Sequence, residues 1–303
     1  MKSFRILLLT VAVCFCTALL AQEEYDNVEG ASAIEVYKTV DGTDLRLWVF
    51  NPTDLKENDK RSAIIFYFGG GWTQGSPKQF VKHCEYLAAR GMIAIVADYR
   101  VRDRHGVKAT VCVEDAKSSI RYLRQHAERL NIDADKIVSA GGSAGGHLGA
   151  SVSFLPGFND PGENSNISCV PNASVLFNPV LVTQEIAGVF DMKEGFSAKV
   201  KERVGAPLKS FSPYHNIKFG VGPMLIFHGT DDETVPYVTA KAFHDKMRAI
   251  GNVCTLVAYE GEGHGFFNYG RKANGSFIDT VKRMDDFLVL HGFIEAVPNF
   301  KVY

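Results

Sequence analysis

Apolar residues in this chain form short continuous runs that alternate with longer segments of helical periodicity. Continuous apolar runs are typical of strands that helices cover on both faces. Six such runs predict buried strands, at residues 63–68, 92–97, 136–140, 174–177, 224–227 and 253–259. An edge hairpin precedes them at residues 33–40 and 45–50, with its turn at Asp41-Gly42.

The segments between the runs predict helices. In residues 113–131 the apolar positions are spaced 4, 3, 4 and 3 apart, which is the pattern of an amphipathic helix: Ala116, Ile120, Leu123, Ala127 and Leu130. Similar spacing predicts helices around residues 80–88 and 277–288. The alternation predicts an α/β fold with a mostly parallel eight-stranded sheet flanked by helices.

Residues 180–220 break this alternation. We interpret them as a small cap-like helical insertion above the carboxyl ends of the strands, the alternative being a long connection. Residues 22–303 otherwise predict a single domain, without a repeat or a linker.

The first 21 residues have a different character. Lys2 and Arg5 precede an apolar stretch at residues 6–20 that ends in Ala21, which predicts a secretory signal peptide over residues 1–21. The stretch is too short for a stable membrane span, so we expect an exported protein, periplasmic or extracellular, without membrane insertion. Lipid attachment at Cys14 or Cys16 is a weaker alternative, because large residues precede both cysteines.

Composition narrows the classes of partner. The net charge of −1 and the lack of a basic cluster argue against nucleic acid as a partner. Four cysteines lie outside the signal peptide, and their wide spacing excludes a C-x-x-C metal or redox pair: Cys84, Cys112, Cys169 and Cys254. Disulfide pairing and buried free thiols are both compatible with these positions.

A candidate nucleophile follows the run at 136–140. Residues 141–145 read Gly-Gly-Ser-Ala-Gly and match G-x-S-x-G, the tight strand-to-helix turn that exposes a serine at the edge of a sheet. Ser143 is therefore the predicted nucleophile.

An acid and a base follow in the expected order. After the strand at 224–227 come three adjacent acids at residues 231–233, among which the spacing alone does not choose. After the strand at 253–259 comes His264 between two glycines, predicted to be a general base rather than an ordinary surface histidine.

Backbone donors for a developing oxyanion are expected from two places. One is Ala144, the residue after the nucleophile, and the other is the loop at 68–76, Phe-Gly-Gly-Gly-Trp-Thr-Gln-Gly-Ser. This loop lacks the Gly-Lys-Ser/Thr of a phosphate-binding loop, and the glycines around Ser143 are out of register for dinucleotide binding.

Together these motifs resemble the α/β-hydrolase superfamily, in particular its hormone-sensitive-lipase-like and bacterial feruloyl or acetyl-xylan esterase-like branch. The resemblance covers roughly residues 32–292. It implies that Asp232 is the acid and that Gly70 and Gly71 donate to the oxyanion. The chain departs from the family at Phe68, where a histidine is usual; we expect this to alter loop packing and to leave the backbone donors in place.

The resulting hypothesis is a secreted serine carboxylesterase that needs neither metal nor cofactor. Its expected substrates are small-molecule or polysaccharide esters, such as acetyl or feruloyl groups on plant polysaccharide. The alternatives are a prolyl-peptidase-like hydrolase and a non-catalytic binding protein on the same scaffold.

Four further residues receive secondary roles. Trp72 is a candidate for the substrate pocket, with core packing as the alternative. We expect His147 to pack under the oxyanion loop, and Asp98 to form an ion pair with Arg100.

Overall fold

The computed structural model describes residues 28–192, 194–298 and 300–302. The predicted signal peptide and the two cysteines of the lipid-attachment alternative lie outside these residues. Within them, no helix combines the length and apolarity that a membrane crossing requires.

The described chain forms an eight-stranded sheet with the order β1-β2-β4-β3-β5-β6-β7-β8. β1 and β2, and β2 and β4, are antiparallel, whereas all other neighbouring pairs are parallel. The predicted mostly parallel eight-stranded sheet is thereby confirmed. The strands are β1 Ala33–Val40, β2 Thr43–Phe50, β3 Arg61–Tyr67, β4 Ile93–Ala97, β5 Ile132–Gly142, β6 Ala173–Phe177, β7 Met224–Gly229 and β8 Cys254–Tyr259.

Helices cover both faces of the sheet. They are α1 Val81–Ala89, α2 Arg102–His105, α3 Ala109–Gln125, α4 Ala144–Phe154, α5 Glu194–Val204, α6 Leu208–Phe211, α7 Tyr237–Ala249 and α8 Gly275–Leu290. Short 3₁₀ helices occupy Pro77–Phe80, Pro213–Asn216 and Lys272–Asn274.

The central strands contain continuous apolar runs because each face of the sheet packs on a different set of helices. Alternate side chains of a strand point to opposite faces. In β3, Ile65 lies in the core cluster that contains Ile120 of α3 and Leu148 of α4. Its neighbour Ile64 lies in the cluster that contains Leu87 of α1 and Met284 of α8.

Two predicted boundaries are wrong. The helix predicted at 113–131 runs instead from Ala109 to Gln125, and the chain then turns until Asn131, which has a positive φ of 56°. Ala127 stays in the core although it lies beyond the helix end, which explains why the apolar periodicity continues. β5 begins at Ile132 rather than 136, because Ile132 pairs with Arg61 of β3.

Residues 180–220 contain α5, α6 and one 3₁₀ helix, with an isolated bridge between Ile186 and Phe190. Phe211 at the end of α6 is fully buried and belongs to the core cluster of α3 and α4. This segment is thus anchored to the domain through an aromatic side chain.

All four described cysteines are free thiols, and three of them are buried. Burial raises the pKa of Cys84, Cys112 and Cys254. A thiol with a raised pKa is a poor nucleophile, so these cysteines act as small apolar core residues.

His83 on α1 is a buried histidine without hydrogen-bond partners. It is fully buried, its ring packs among Phe80, Phe177 and Phe277, and neither ring nitrogen has a partner within the described chain. Burial lowers the pKa of His83 to about 3.

Because of the low pKa of His83, we expect the free energy of unfolding to depend on pH. Below about pH 6.5 the unfolded chain protonates His83, while the folded protein does not, so the free energy of unfolding falls as pH drops from 7.5 to 5. The expected loss from this group is about 2 kcal/mol. His83→Leu should reduce the pH-dependent loss by that amount, measured by urea unfolding at both pH values. Leu87→Ala, a core change without a titratable group, should leave the pH-dependent loss unchanged; equal losses in wild type and His83→Leu would contradict the prediction.

Candidate active site

Ser143 lies at the sharp turn between β5 and α4. Its φ of 56° and ψ of −118° place it outside the regions that a serine normally occupies. A Cβ at Gly141 would approach the carbonyl oxygen of Gly145 to 2.5 Å, and a Cβ at Gly145 would overlap the carbonyl oxygen of Tyr67. The glycines of G-x-S-x-G are therefore required by the close approach of β3 to this turn.

The structure brings Ser143, His264 and Asp232 together. The Ser143 Oγ lies 3.0 Å from His264 Nε2, and His264 Nδ1 lies 2.8 Å from Asp232 Oδ2. These residues follow β5, β8 and β7, so they meet at the carboxyl edge of the sheet although they are far apart in sequence. The Asp232 side chain is buried, and the imidazole of His264 is 26% exposed.

The surroundings of Asp232 keep it ionised. Its Oδ1 accepts hydrogen bonds from the backbone N–H groups of Thr234 and Val235, at 2.9 and 2.8 Å. Burial raises the pKa of Asp232, but hydrogen bonding to His228 and His264 and to the Val235 amide outweighs it, so this pKa lies well below its ordinary value. An ionised carboxylate only accepts hydrogen bonds, so His264 Nδ1 carries a proton and Nε2 is free to accept one from Ser143.

The neighbouring acids are placed differently. Asp231 and Glu233 are exposed, whereas Asp232 points inward to His264. The structure thus makes the choice among three adjacent acids that spacing left open.

Asn178 positions the loop that carries His264, and the sequence reasoning missed it. Its side-chain Oδ1 accepts a hydrogen bond of 2.9 Å from the backbone N–H of Gly265, and the backbone N–H of Asn178 donates to Phe227 O at 2.7 Å. Asn178 is fully buried and has a φ of 34°. An asparagine directly after a buried strand and before Pro179 was the available signal.

The glycine loop after β3 lies against the Ser143 turn. A Cβ on Gly69 would be 3.3 Å from Ser143 Cβ, and Gly69, Gly70 and Gly71 all line one cavity with Ser143. Ala144 is fully buried as the first residue of α4, where backbone N–H groups have no acceptor within the helix. The structure therefore brings the loop and the helix start that were predicted to bind an oxyanion to the same side of Ser143.

A hydrogen-bonded relay connects the glycine loop to the His264 loop. Gly69 N–H donates to Gln79 Oε1 at 2.7 Å, and Gln79 Nε2 donates to Asn268 Oδ1 at 2.9 Å. Asn268 Nδ2 donates in turn to Gly265 O at 2.9 Å. Gln79 thus fixes the two loops relative to each other, and no local sequence pattern indicated this role.

Phe68 braces the glycine loop from below. Its ring stacks on Tyr99 at a centroid distance of 4.1 Å, and the Tyr99 hydroxyl donates to Phe68 O at 2.6 Å. A Cβ at Gly75 would overlap the Phe68 ring. An aromatic stack and one hydrogen bond therefore hold the loop at the position where the resembling family has a histidine.

Trp72 packs in the core and does not line the cavity at Ser143, so the prediction that it lines the substrate pocket is wrong. It is 4% exposed, and its ring contacts those of His147 and Phe211 at 5.2 and 5.6 Å. Its positive φ of 61° turns the side chain away from the cavity and into the core. The ring contact with Trp72, a residue of the glycine loop, places His147 beneath that loop. The Nε2 atom of His147 lies 2.8 Å from Phe211 O.

The predicted ion pair between Asp98 and Arg100 is wrong. Asp98 pairs with Arg104 at 2.6 Å, while Arg100 pairs with the fully buried Asp115 of α3 at 2.6 Å. The reason is that each side chain finds a partner on a different helix, which sequence proximity does not reveal.

The cavity above Ser143 has a volume of about 590 Å³. A second cavity of about 500 Å³ adjoins it, because Gln79 and Asn268 line both. The second cavity is also lined by Glu29, Lys78, Val81, Lys82 and Tyr269. Together they form a groove, lined by both polar and apolar groups, that extends from Ser143 along the surface.

This arrangement contains the parts of acyl transfer. A hydroxyl meets an imidazole, a buried carboxylate orients that imidazole, and the glycine loop lies beside the hydroxyl. The geometry suits attack on the carbonyl of an ester or an activated amide.

Family models match most of the described chain. A model of the family described as BD-FAE matches residues 49–247, and a model of the dienelactone hydrolase family matches residues 206–292. The first match alone covers more than half of the chain.

Curated relatives are esterases of low identity. Esterase LipC of Mycobacterium tuberculosis is 29% identical over 218 residues, which are 67% of this chain and 53% of LipC. The acetylxylan esterase of Xylanibacter ruminicola is 29% identical over 221 residues, 70% of this chain and 42% of that enzyme. The chain spans about half the length of these relatives.

Solved structures give a fuller match. Esterase 2 of Thermogutta terrifontis, phosphonylated by sarin, is 48% identical and superposes with a TM-score of 0.86 over 89% of this chain and 98% of its own. Its propionate-bound form is 49% identical with a TM-score of 0.83, over 89% of this chain and 97% of its own. These matches confirm the α/β-hydrolase fold and the resemblance to its esterase branch.

The Gln79 relay generates a prediction. Gln79→Ala should lower kcat for a reporter ester about tenfold with little change in KM, because a misplaced glycine loop weakens hydrogen bonds that matter in the transition state. Gln79→Glu keeps the acceptor for Gly69 N–H and should recover part of the loss. The matched control is Gln125→Ala at the exposed end of α3, which should leave kcat unchanged. A purely structural role would lower the unfolding midpoint of Gln79→Ala and leave kcat per folded molecule intact.

Proposed function

The chain belongs to the BD-FAE family of α/β-hydrolases, and from this premise we propose that it is a serine carboxylesterase. The observation that carries the proposal is the hydrogen-bonded series of Ser143 Oγ, His264 and Asp232, at 3.0 and 2.8 Å. LipC, the Xylanibacter ruminicola relative and the Thermogutta terrifontis structures bear esterase names, which supports the same reaction class.

Acylation begins at the Ser143 hydroxyl. The Oγ attacks the ester carbonyl carbon while its proton passes to His264 Nε2, and the carbonyl oxygen becomes an oxyanion. In this proposal the oxyanion accepts hydrogen bonds from the N–H groups of Gly70, Gly71 and Ala144. The tetrahedral intermediate then collapses, the carbon–alkoxide bond breaks, and His264 returns its proton to the leaving alcohol.

Deacylation repeats these steps with water. His264 takes a proton from a water molecule, whose oxygen attacks the acyl-enzyme carbonyl, and the proton then passes to Ser143 Oγ as the free acid leaves. Asp232 stabilises the imidazolium that forms twice in each cycle. It remains ionised throughout, because its pKa is held low by the hydrogen bonds described above.

For the natural substrate we propose acetyl or feruloyl esters on plant polysaccharide. One relative is named as an acetylxylan esterase, and solved structures of the Thermogutta terrifontis enzyme hold propionate and butyrate. The groove that leads away from Ser143, past Gln79 and Asn268 to Tyr269, offers side-chain amides and an aromatic ring to a sugar alcohol.

Export is part of this proposal. The charged start and apolar stretch of residues 1–21 support secretion, and a polysaccharide substrate lies outside the cell. Detection of the chain in the periplasm or medium, lacking its first residues by mass spectrometry, is the corresponding test.

Removing the nucleophile tests the reaction. Ser143→Ala should lower kcat on p-nitrophenyl acetate by about 10³-fold or more, and His264→Ala should do the same, as in other serine triads. Ser143→Ala should also abolish covalent labelling by a fluorophosphonate probe. Ser153→Ala, a change of another serine on α4, is the matched control and should keep most activity. Full turnover by Ser143→Ala would exclude the proposal.

A substrate panel tests the finer proposal. We expect acetyl and short acyl p-nitrophenyl esters, acetylated xylan and feruloylated oligosaccharides to be hydrolysed in preference to esters above C8 and to aminoacyl-proline anilides. The panel is scored by kcat/KM. Higher kcat/KM on long-chain esters would point to a lipase-like role, and higher kcat/KM on the anilides to a peptidase.

A further inference from the structure

The wall of the Ser143 cavity carries an unbalanced charge. Two arginines line it, Arg203 from α5 and Arg271 from the segment after His264. No carboxylate is among the described residues that line this cavity. The triad carboxylate of Asp232 is buried behind the imidazole and hydrogen-bonded to it.

Arg203 makes neither a hydrogen bond nor an ion pair with the residues that the structure describes. Its Nη1 lies only 2.9 Å from the position that a Cβ on Gly71 would occupy, so the guanidinium lies directly on the glycine loop. The adjacent acid on α5, Glu202, lies 3.5 Å from Arg102 instead. Most other arginines beside the sheet have acidic partners, such as Arg100 with Asp115 and Arg104 with Asp98.

Arg271 has N–H groups that are available to bind a ligand. Its Nη1 donates to the backbone oxygen of His264 at 3.2 Å, which leaves most of its five N–H groups available. It also lies next to Gly265, where a Cβ would be 3.4 Å from Nη1. One guanidinium thus lies over the glycine loop and the other beside the base.

A third donor lines the same cavity. Asn178 is fully buried, its Oδ1 is used by Gly265 N–H, and its Nδ2 has no partner among the residues that the structure describes. The two guanidinium groups are therefore the charged donors of the cavity wall, and the amide of Asn178, unpartnered in the described chain, lies buried behind it. Guanidinium groups bind carboxylates through paired, charge-assisted hydrogen bonds, which are shorter and stronger than neutral ones.

We propose that the preferred substrates of this site are esters that carry a second, anionic group, namely a free carboxylate bound by Arg203 with support from Arg271. The inference rests on the proposed esterase function and specifies its substrate class. The carboxylate belongs either to the acyl part or to the alcohol part of the ester, and the experiment separates these two sources. Acetyl and feruloyl groups carry no second carboxylate, so in the polysaccharide esters proposed above it would belong to the alcohol part.

The test compares matched pairs of esters that differ only in charge. For the acyl side the pair is monoethyl glutarate and the ethyl ester of glutaramic acid; for the alcohol side it is 4-acetoxybenzoate and 4-acetoxybenzamide. The readout is the ratio of kcat/KM for the anionic ester to that for the neutral amide. In at least one pair we expect a ratio of about ten or more in the wild type, decreasing as salt screens the interaction.

Variants of Arg203 should change this ratio. Arg203→Gln should lower it about tenfold, Arg203→Lys should give an intermediate value because a point charge replaces a planar fork, and Arg203→Glu should bring it below one. Arg271→Gln should lower it as well. Arg248→Gln, an exposed arginine at the end of α7, is the control and should leave the ratio unchanged.

The outcomes separate this inference from the proposed function. A wild-type ratio near one in both pairs, or a ratio that Arg203→Gln and Arg203→Glu leave unchanged, would overturn the inference while hydrolysis of the neutral esters upheld the esterase. Absence of hydrolysis of every ester would overturn the esterase function itself.

Discussion

The structure of the site depends on the backbone of Ser143. A serine at φ 56° and ψ −118° is strained by about 1–3 kcal/mol, and the strain persists only because the surroundings leave no other path for the chain. β3 approaches so closely that Gly145 contacts the carbonyl of Tyr67, while the fully buried α4 fixes the other side. The consequence is a hydroxyl held at the sheet edge before any substrate arrives.

The remaining parts of the site are loops, and direct hydrogen bonds tie these loops together. Asn178 connects the end of β6 to Gly265, and Gln79 connects Gly69 to Asn268. The bonds from Asn178 to Gly265 and from Gln79 to Asn268 join residues that are far apart in sequence, so the folded sheet brings these loops together. Preorganised donors of this kind stabilise developing charge without reorganisation during the reaction.

The triad residues and the cavity-wall arginine come from different layers of the molecule. The triad stands on β5, β7 and β8, whereas the insertion at 180–220 contributes Arg203 above the glycine loop. Phe211 anchors that insertion on Trp72 and His147 in the core. A fold can keep one reaction while its insertions vary, since function resides in sites carried by the fold.

The sequence by itself determined the strands, the nucleophile, the base and their order, because apolar periodicity and glycine-rich turns are local signals. The sequence also predicted the glycine loop after β3. The spacing alone did not choose among the three adjacent acids after β7, and only the resemblance to the family indicated Asp232. Tertiary structure alone decided the partners of Asp98 and Arg100, the inward turn of Trp72, and the roles of Gln79, Asn178 and Arg203. The reason is physical: these residues act through contacts with distant elements, and a side chain's partner across a fold leaves no trace in the periodicity of its own segment.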